Sequence, residues 1–323
     1  MSSTSCRRLD DVALWSILKL VDAATLQNCR RVSTKWNGEI HRLSDYTSKF
    51  KPSSLIMELF GTQFRITIGT PNGPKGFEED PISSETGKQV LRHVDPPKTL
   101  LIFLNEDVDL DSYEMMMSGI SDDWISKIRE LEIVYQNSNL PFSKVLKHLE
   151  KTPNLTYLSL SHHCNETKSI GDIFEMLPEL RYLRIFGFNP NDGSGCSSGL
   201  IFDDNAIEQL IKNQNGFRRI QNIELFNTDV TVSMDMMIHA LRYLARLPAH
   251  SDCLQESKNP EEVNLLFDNC RWDSIKELNL LASIIRISSD FNFPIQQPNE
   301  NILKGDFRFS IFETNFILKF MAG

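Results

Sequence analysis

A six-residue pattern, Leu-x-x-Leu-x-Leu with aliphatic substitutes, recurs along this chain and constrains its fold more than any other feature. It occurs at Ile128, Leu131 and Ile133, at Leu155, Leu158 and Leu160, and at Leu180, Leu183 and Ile185. Two later copies fall at Ile220, Ile223 and Leu225 and at Ile275, Leu278 and Leu280, and a weaker one starts at Leu100 with Phe103. The starts at 100, 128, 155 and 180 lie 28, 27 and 25 residues apart. A near-constant period of this size means that one strand-bearing unit stacks on the next, because no single unit buries its apolar face alone. The next two gaps, 40 and 55 residues, exceed one unit. The first contains the Gly/Ser/Asn-rich run 186–199; the second leaves room for a degenerate unit or for the polar stretch Ala249–Glu262.

Helical patterns fall between the strand-like cores. Leu110, Tyr113, Met117 and Ile120 share a face, as do Val145, Leu146 and Leu149. So do Ile170, Ile173, Phe174 and Leu177, and then Ile207, Leu210 and Ile211. The phrases TPNL (152–155) and LPEL (177–180) end two of these helices, since proline has no amide proton to donate. Helix, proline turn and strand in steady alternation resemble the irregular leucine-rich repeats. The Asn or Cys of that family, just past the strand, is approached only by Asn227 and Cys164. The expected fold class is α/β, an N-terminal helical module followed by a leucine-rich-repeat-like αβ solenoid; an open α/β layered domain is the alternative. The resemblance implies a concave face built from the interleaved positions: Thr156, Tyr157 and Ser159, then Arg181, Tyr182 and Arg184, then Gln221, Asn222 and Glu224. Tyr157 and Tyr182 hold the same place in adjacent units and are expected side by side. Aromatic and arginine side chains are enriched at binding hot spots, so Tyr157, Arg181, Tyr182 and Arg184 are the partner-binding candidates; an ordinary solvated sheet face is the other reading.

The N-terminal segment carries its own pattern. Leu14, Ile17, Leu18 and Val21 form one helical stripe, with Asp10 or Asp11 placed to cap it, and Leu26, Cys29, Val32 and Trp36 form a second. Asp22–Thr25 is the turn between them, with Asp22 or Thr25 as the next cap. Two helices of about ten residues bury too little to stand alone and need a third helix, the rest of the chain or a partner. These residues resemble the F-box, which opens with Leu-Pro-x-Glu, continues with an Ile-Leu pair and two further leucines, and closes with Val-Cys-x-x-Trp or a near variant. The correspondence runs without a gap through Leu9, Ile17, Leu18, Val21, Leu26, Val32 and Trp36, and the run CRRVSTKW (29–36) resembles the closing helix. Asp10 replaces the family's Pro and Val12 its Glu, both where F-box proteins meet their adaptor.

The resemblance covers about a tenth of the chain. It implies a non-catalytic substrate-recognition subunit of an SCF-type cullin ubiquitin ligase. Leu9, Ile17, Leu18, Val21, Leu26 and Val32 would support or form the surface that meets a Skp-family adaptor on the cullin scaffold. Trp36 would close the module, and the repeats would hold a target protein. The rival account is a ligase-independent leucine-rich-repeat interaction scaffold whose N-terminal helices cap the repeats. The expected divisions are 1–48 for the helical module, 49–98 for a linker with the first irregular strands, and 99–323 for the repeat-like domain.

Composition narrows the remaining classes. Apolar residues make up 41% and charged residues 24% of 323, ordinary for a soluble folded protein. No apolar run reaches the roughly 20 residues that cross a bilayer, and MSSTSCRRLDD lacks the apolar centre of a secretory signal. A cytoplasmic or nuclear protein without a membrane partner is expected. A net charge of −9 argues against nucleic acid as a partner, since phosphate binding draws on a basic surplus. The six cysteines form no C-x-x-C and are expected as reduced thiols. The chain shows no nucleophile elbow, zinc-protease, dinucleotide or kinase motif, so no catalytic residue, cofactor or metal is assigned. His162-His163-Cys164 alternate in direction on an extended segment, so at most two can share a site, and a loop role is expected. The segment 105–111 (NEDVDLD) lacks the Gly and distal Glu of a calcium loop. Met115–Met117 are expected to fill core space. Leu55–Phe60 and Phe64–Ile68 are expected strands, 69–76 a loop without phosphate-loop spacing, and Gln89–Val94 a helix. The segment 307–312 is expected to pair with 316–320 as a hairpin.

Overall fold

The computed structural model describes residues 11–43, 49, 51–69, 82–83, 91–105, 107–135, 140–162, 167–187, 199–212, 220–233, 235–236, 239–240, 262–268, 271–272, 304–311 and 314–321. It begins with three helices, α1 (Asp11–Leu20), α2 (Ala23–Arg30) and α3 (Thr34–Arg42). Asp22 caps α2, its carboxylate accepting from the Thr25 amide at 2.9 Å and the Thr25 hydroxyl at 2.8 Å. The second apolar stripe divides between two helices: α2 ends before Val32, and the Ser33 hydroxyl accepts from the Trp36 amide at 3.2 Å to start α3. A serine cap satisfies an amide that a continuous helix would bond internally, which favours a new start at this point. The third helix is thus already contained in the stripe.

An antiparallel hairpin follows, β1 (Ser54–Phe60) and β2 (Gln63–Gly69). It turns at Gly61, whose φ of 52° suits a residue without a side chain. The next elements are β3 (Ile82–Ser83), β4 (Thr99–Leu104), α4 (Leu110–Ser118), α5 (Asp122–Ile125), β5 (Glu130–Tyr135), α6 (Phe142–Leu149) and β6 (Tyr157–His162). Then come β7 (Lys168–Ser169), α7 (Gly171–Met176), β8 (Tyr182–Gly187), β9 (Leu200–Phe202), α8 (Asp204–Lys212), β10 (Asn222–Phe226) and β11 (Asp229–Val230). The last are β12 (Glu262–Asp268), β13 (Arg271–Trp272), β14 (Lys304–Ile311) and β15 (Thr314–Met321).

The main sheet has the order β14-β15-β12-β10-β8-β6-β5-β4-β1-β2-β3. Every neighbour pair from β1 to β15 is parallel, and the ends are closed by antiparallel pairs. The hairpin expected near the C-terminus is present as β14 and β15. The short strands β7, β9, β11 and β13 form a second parallel ladder in chain order.

The recurring pattern is in register across these strands. Leu131 lies opposite Leu158, Leu158 opposite Leu183, and Leu183 opposite Ile223. Ile133, Leu160, Ile185 and Leu225 form the next row, and both rows are buried. The chain crosses to each new strand by the same device. One carbonyl accepts two successive amides: Lys98 from Arg129 and Glu130, Arg129 from Thr156 and Tyr157, Thr156 from Arg181 and Tyr182, and Arg181 from Gln221 and Asn222. A one-residue slip would turn each apolar row to the opposite face, so burial and this junction hold the same register.

Two sequence expectations are corrected here, and an alternative left open is resolved. In β4, Leu100 aligns with Leu131 and Ile102 with Ile133, so the first copy begins at buried Pro97 and Phe103 falls on the opposite face. Strand alternation admits Leu100 and Ile102 to one face and excludes Phe103 from it. The unit in the 55-residue gap is β12, with Leu265 opposite Ile223 and Phe267 opposite Leu225; Ile275, Leu278 and Leu280 lie outside the described residues. Of the three methionines, Met116 and Met117 are buried, whereas Met115 projects from α4 with 46% of its surface exposed. Leu91 and Arg92 are helical, and the start of the helix expected at 89 lies outside the described residues.

Helices and strands share one continuous core that includes Tyr113, Trp124, Phe142, Val145, Phe174, Leu210 and the two aliphatic rows. Helix α6 ends at Leu149, and buried Thr152 turns the chain, its hydroxyl donating to the Leu149 carbonyl at 2.7 Å. Helices α7 and α8 approach so closely that a Cβ on Gly171 would lie 2.8 Å from the Asn205 backbone. Two asparagines tie strand ends together: Asn227, at a φ of 51°, donates to the Gly187 carbonyl at 3.1 Å, and Asn105 donates to the Leu59 carbonyl at 2.6 Å. No described helix is long and apolar enough to cross a membrane.

The core also carries a titratable edge. The His148 ring meets buried Tyr113 edge-on at 5.3 Å between centroids. Burial holds the imidazole below its usual 6.5, reinforced by Lys151 and Lys147 and opposed by Glu114 and Asp122. The folded protein therefore binds this proton less readily than the unfolded chain, and stability falls as pH drops below about 6.5. The expected slope stays below the ~1.4 kcal/mol per pH unit that one proton sets. Urea midpoints between pH 7.5 and 5.5 should drop less for His148→Gln than for wild type; equal drops would assign the acid sensitivity elsewhere.

Candidate interaction surfaces

The three-helix unit has its own small core of Leu14, Leu18, Leu26, Ile40 and Leu43, with Trp15, Val21, Cys29 and Trp36 packed around it. A polar clasp closes α1 onto α3. The Trp15 indole donates to Glu39 at 2.6 Å, Arg42 pairs with the same carboxylate at 3.0 Å, and the Arg42 guanidinium stacks 4.1 Å over the Trp15 ring. This arrangement sorts the candidate residues by role. Leu18 and Leu26 are core, fully or almost fully covered. Val21 and Trp36 are half-buried at its margin. Ile17 and Val32 point outward, 42% and 65% exposed, and Leu9 lies outside the described residues. Leu20, 87% exposed on the same helix as Ile17, was not singled out by the sequence pattern. Exposed leucines are common on any surface. This one follows Ile17 by three residues, and both stand at the flank of the α1 core stripe.

The second surface is the face of the main sheet that the aliphatic rows do not use. Apart from Ser159 its residues are half-buried to exposed, and they form rows across the strands. One row runs Thr99, Glu130, Tyr157, Tyr182 and Asn222. The next runs Leu101, Glu132, Ser159, Arg184 and Glu224, and a third runs Phe103, Val134, Ser161, Phe186 and Phe226. Tyr157 and Tyr182 meet with ring centroids 6.4 Å apart and planes tilted by 39°. Arg184 donates its Nε proton to Glu224, which raises the guanidinium pKa further. Lys98 and the Thr99 hydroxyl both donate to Glu130 at 2.6 Å and hold its carboxyl below the usual range. Arg181 is exposed where β8 begins, and Ser159 is covered, 2% exposed, among longer neighbours.

Tyr157, Tyr182 and Arg184 are thus brought onto one face, with Arg181 at its rim. The sequence pattern missed the stacked pair Phe186 and Phe226, with centroids 4.6 Å apart and planes within 10°. Extending the alternation one residue past each pattern, beyond Ile185 and Leu225, would have found it. Among the described residues, no group of three or more His, Cys, Asp or Glu is placed to hold a metal ion. His163 and Cys164 lie outside them.

Comparison with known families matches residues 7–47 to the F-box domain. That span contains all seven positions on which the resemblance was based. No curated protein and no solved structure matches the chain.

Proposed function

We propose that this F-box protein is the substrate-recognition subunit of an SCF-type cullin ubiquitin ligase, acting in the cytoplasm or nucleus. F-box domains bind Skp-family adaptors in SCF complexes, and F-box proteins are in general non-catalytic adaptors. The observation that carries the reading is the set Ile17, Leu20 and Val32, left exposed on a helical unit around a core of Leu14, Leu18, Leu26, Ile40 and Leu43. Leu18, Val21, Leu26 and Trp36 hold that unit in shape. The sheet domain is the target-holding part and is a leucine-rich-repeat-like solenoid. What supports that assignment is the equal register of the aliphatic rows and the carbonyl junction repeated between units. Tyr157, Arg181, Tyr182 and Arg184 belong to the surface that meets the target protein.

Co-expression with a Skp-family adaptor and a cullin tests the first half. Wild type should co-purify with both, and Ile17→Asp should weaken adaptor binding by roughly ten- to a hundredfold, the worth of one buried aliphatic side chain. Ile17 is a cleaner probe than Leu18, since a charge at Leu18 would also break the core. A second reading is favoured by Asp10 and Val12, which replace the family's Pro and Glu. In that reading the chain is a ligase-independent scaffold, and wild type then purifies without the adaptor.

A further inference from the structure

The main sheet ends differently at its two sides. One side stops at β3, two residues long, and a strand that short offers little backbone to a neighbour. The other stops at β14, eight residues long and paired only with β15 among the described residues. Its second edge is a row of backbone amides and carbonyls that no described strand takes up. Register carries the apolar rows out to this edge. Phe307 continues the row of Ile223, Leu265 and Leu318, and Phe309 continues that of Val263 and Phe316. A fold of stacked units buries each row against the next unit, and its last unit needs a cover. The alternate positions of β14 carry charge. Asp306 lies opposite Lys319 of β15, whereas Arg308 lies opposite Ile317 and Lys304 opposite Met321. Within the hairpin, Arg308 therefore has no carboxylate across from it.

We propose that the free edge of β14 pairs with β14 of a second copy of this chain, antiparallel about a two-fold axis at Phe307. Identical strands related by a two-fold axis in one sheet run antiparallel. On an antiparallel edge every second residue turns its backbone groups outward, and these residues pair with one another. The axis therefore passes through a residue and not between two. An axis at Asp306 sets Asp306 against itself and Lys304 against Arg308, and an axis at Arg308 sets Arg308 against itself. An axis at Gly305 pairs Lys304 with Asp306 but confines the ladder to those residues. The axis at Phe307 sets Asp306 opposite Arg308 of the second copy, and by symmetry does so twice, in a ladder spanning Lys304–Ser310. Opposite charges across a strand pair stabilise it, and like charges destabilise it. The same axis sets Phe307 opposite Phe307 and Phe309 opposite Gly305 of the second copy, so the apolar rows run on from one copy into the other.

Size-exclusion chromatography of the full-length protein with light scattering tests this. At micromolar concentration the wild type should elute at twice its 37.1 kDa. Arg308→Asp turns both cross-axis pairs into carboxylate pairs, and Asp306→Arg turns both into cation pairs. Each variant should raise the dissociation constant at least about tenfold and elute as a monomer, with circular dichroism unchanged. An equal mixture of the two variants restores opposite charge at both cross-axis pairs and should elute at twice the mass again, which variants that merely misfold would not do. A monomeric wild type overturns the proposal and leaves the edge to a strand from another protein. A dimer that persists undiminished in both variants places the contact elsewhere and overturns it too. Folded monomeric variants whose mixture stays monomeric refute the register, and the proposal falls with it.

Discussion

Replacing Leu18 with Asp is expected to unfold the three-helix unit, whereas the same replacement at Ile17, one residue earlier, leaves it folded. The unit rests on five buried residues, Leu14, Leu18, Leu26, Ile40 and Leu43. Removing the Leu18 side chain from that set forfeits about 2–5 kcal/mol. A carboxylate in its place adds a desolvation cost of several kcal/mol, since the core residues offer no cation. A unit this small has little stability to lose. Ile17 is already 42% exposed, so its carboxylate stays in water. Amide exchange of residues 11–43 in the full-length protein separates the two cases. Leu18→Asp should lose protection throughout α1, α2 and α3, and Ile17→Asp should keep it. Equal protection in both would remove Leu18 from the core. The pair also divides the F-box residues by role, because a fully folded Ile17→Asp protein that no longer binds the adaptor isolates the contact surface from its support.

The second large effect is expected in the sheet. Leu158→Ala and Leu183→Ala each leave a cavity in the row that joins β5, β6, β8 and β10, and each should cost about 2–5 kcal/mol. Against a total of about 5–15 kcal/mol, either change moves the urea midpoint far. The two leucines lie directly opposite each other in β6 and β8. Their cavities merge in the double variant, so its loss should differ from the sum of the two single losses by at least ~0.5 kcal/mol. Lys144→Ala, exposed on α6, serves as a control and should stay within about 0.5 kcal/mol, as surface substitutions do. Additive losses at 158 and 183 would mean that the two side chains do not share a cavity.

Much of this architecture was legible in the residue order. The spacing of Ile128, Leu131 and Ile133 and of its copies located β5, β6, β8 and β10, because a parallel strand buried on one face must repeat its apolar side chains at fixed steps. Asp22 was identifiable as a cap, and FRFSIF as half of a hairpin. The failures have physical causes. Phe103 imitated a pattern position because spacing of three fits both a helix and the first half of the motif; only its partner strand shows that Leu100 and Ile102 take the core. The unit at β12 went unplaced because Leu265 and Phe267 alone carry its match. The break between α2 and α3 was hidden because Cys29, Val32 and Trp36 keep helical spacing across Ser33, and capping is settled by local hydrogen bonds that periodicity does not report.

The two surfaces divide in the same way. An F-box at residues 7–47, the aliphatic rows and the candidates Tyr157, Tyr182 and Arg184 follow from the order of side chains along the chain, since amphipathic periods are local properties. Which members of the N-terminal stripe are free to touch a partner does not follow from that order. Leu18 and Ile17 are neighbours with similar side chains, and the packing of α2 and α3 covers one and leaves the other open. The same holds on the sheet, where residues from 132 to 226 become neighbours only through strand pairing. The Arg184–Glu224 pair and the Phe186–Phe226 stack are products of register, and register is settled by burial and backbone hydrogen bonds summed over the whole sheet.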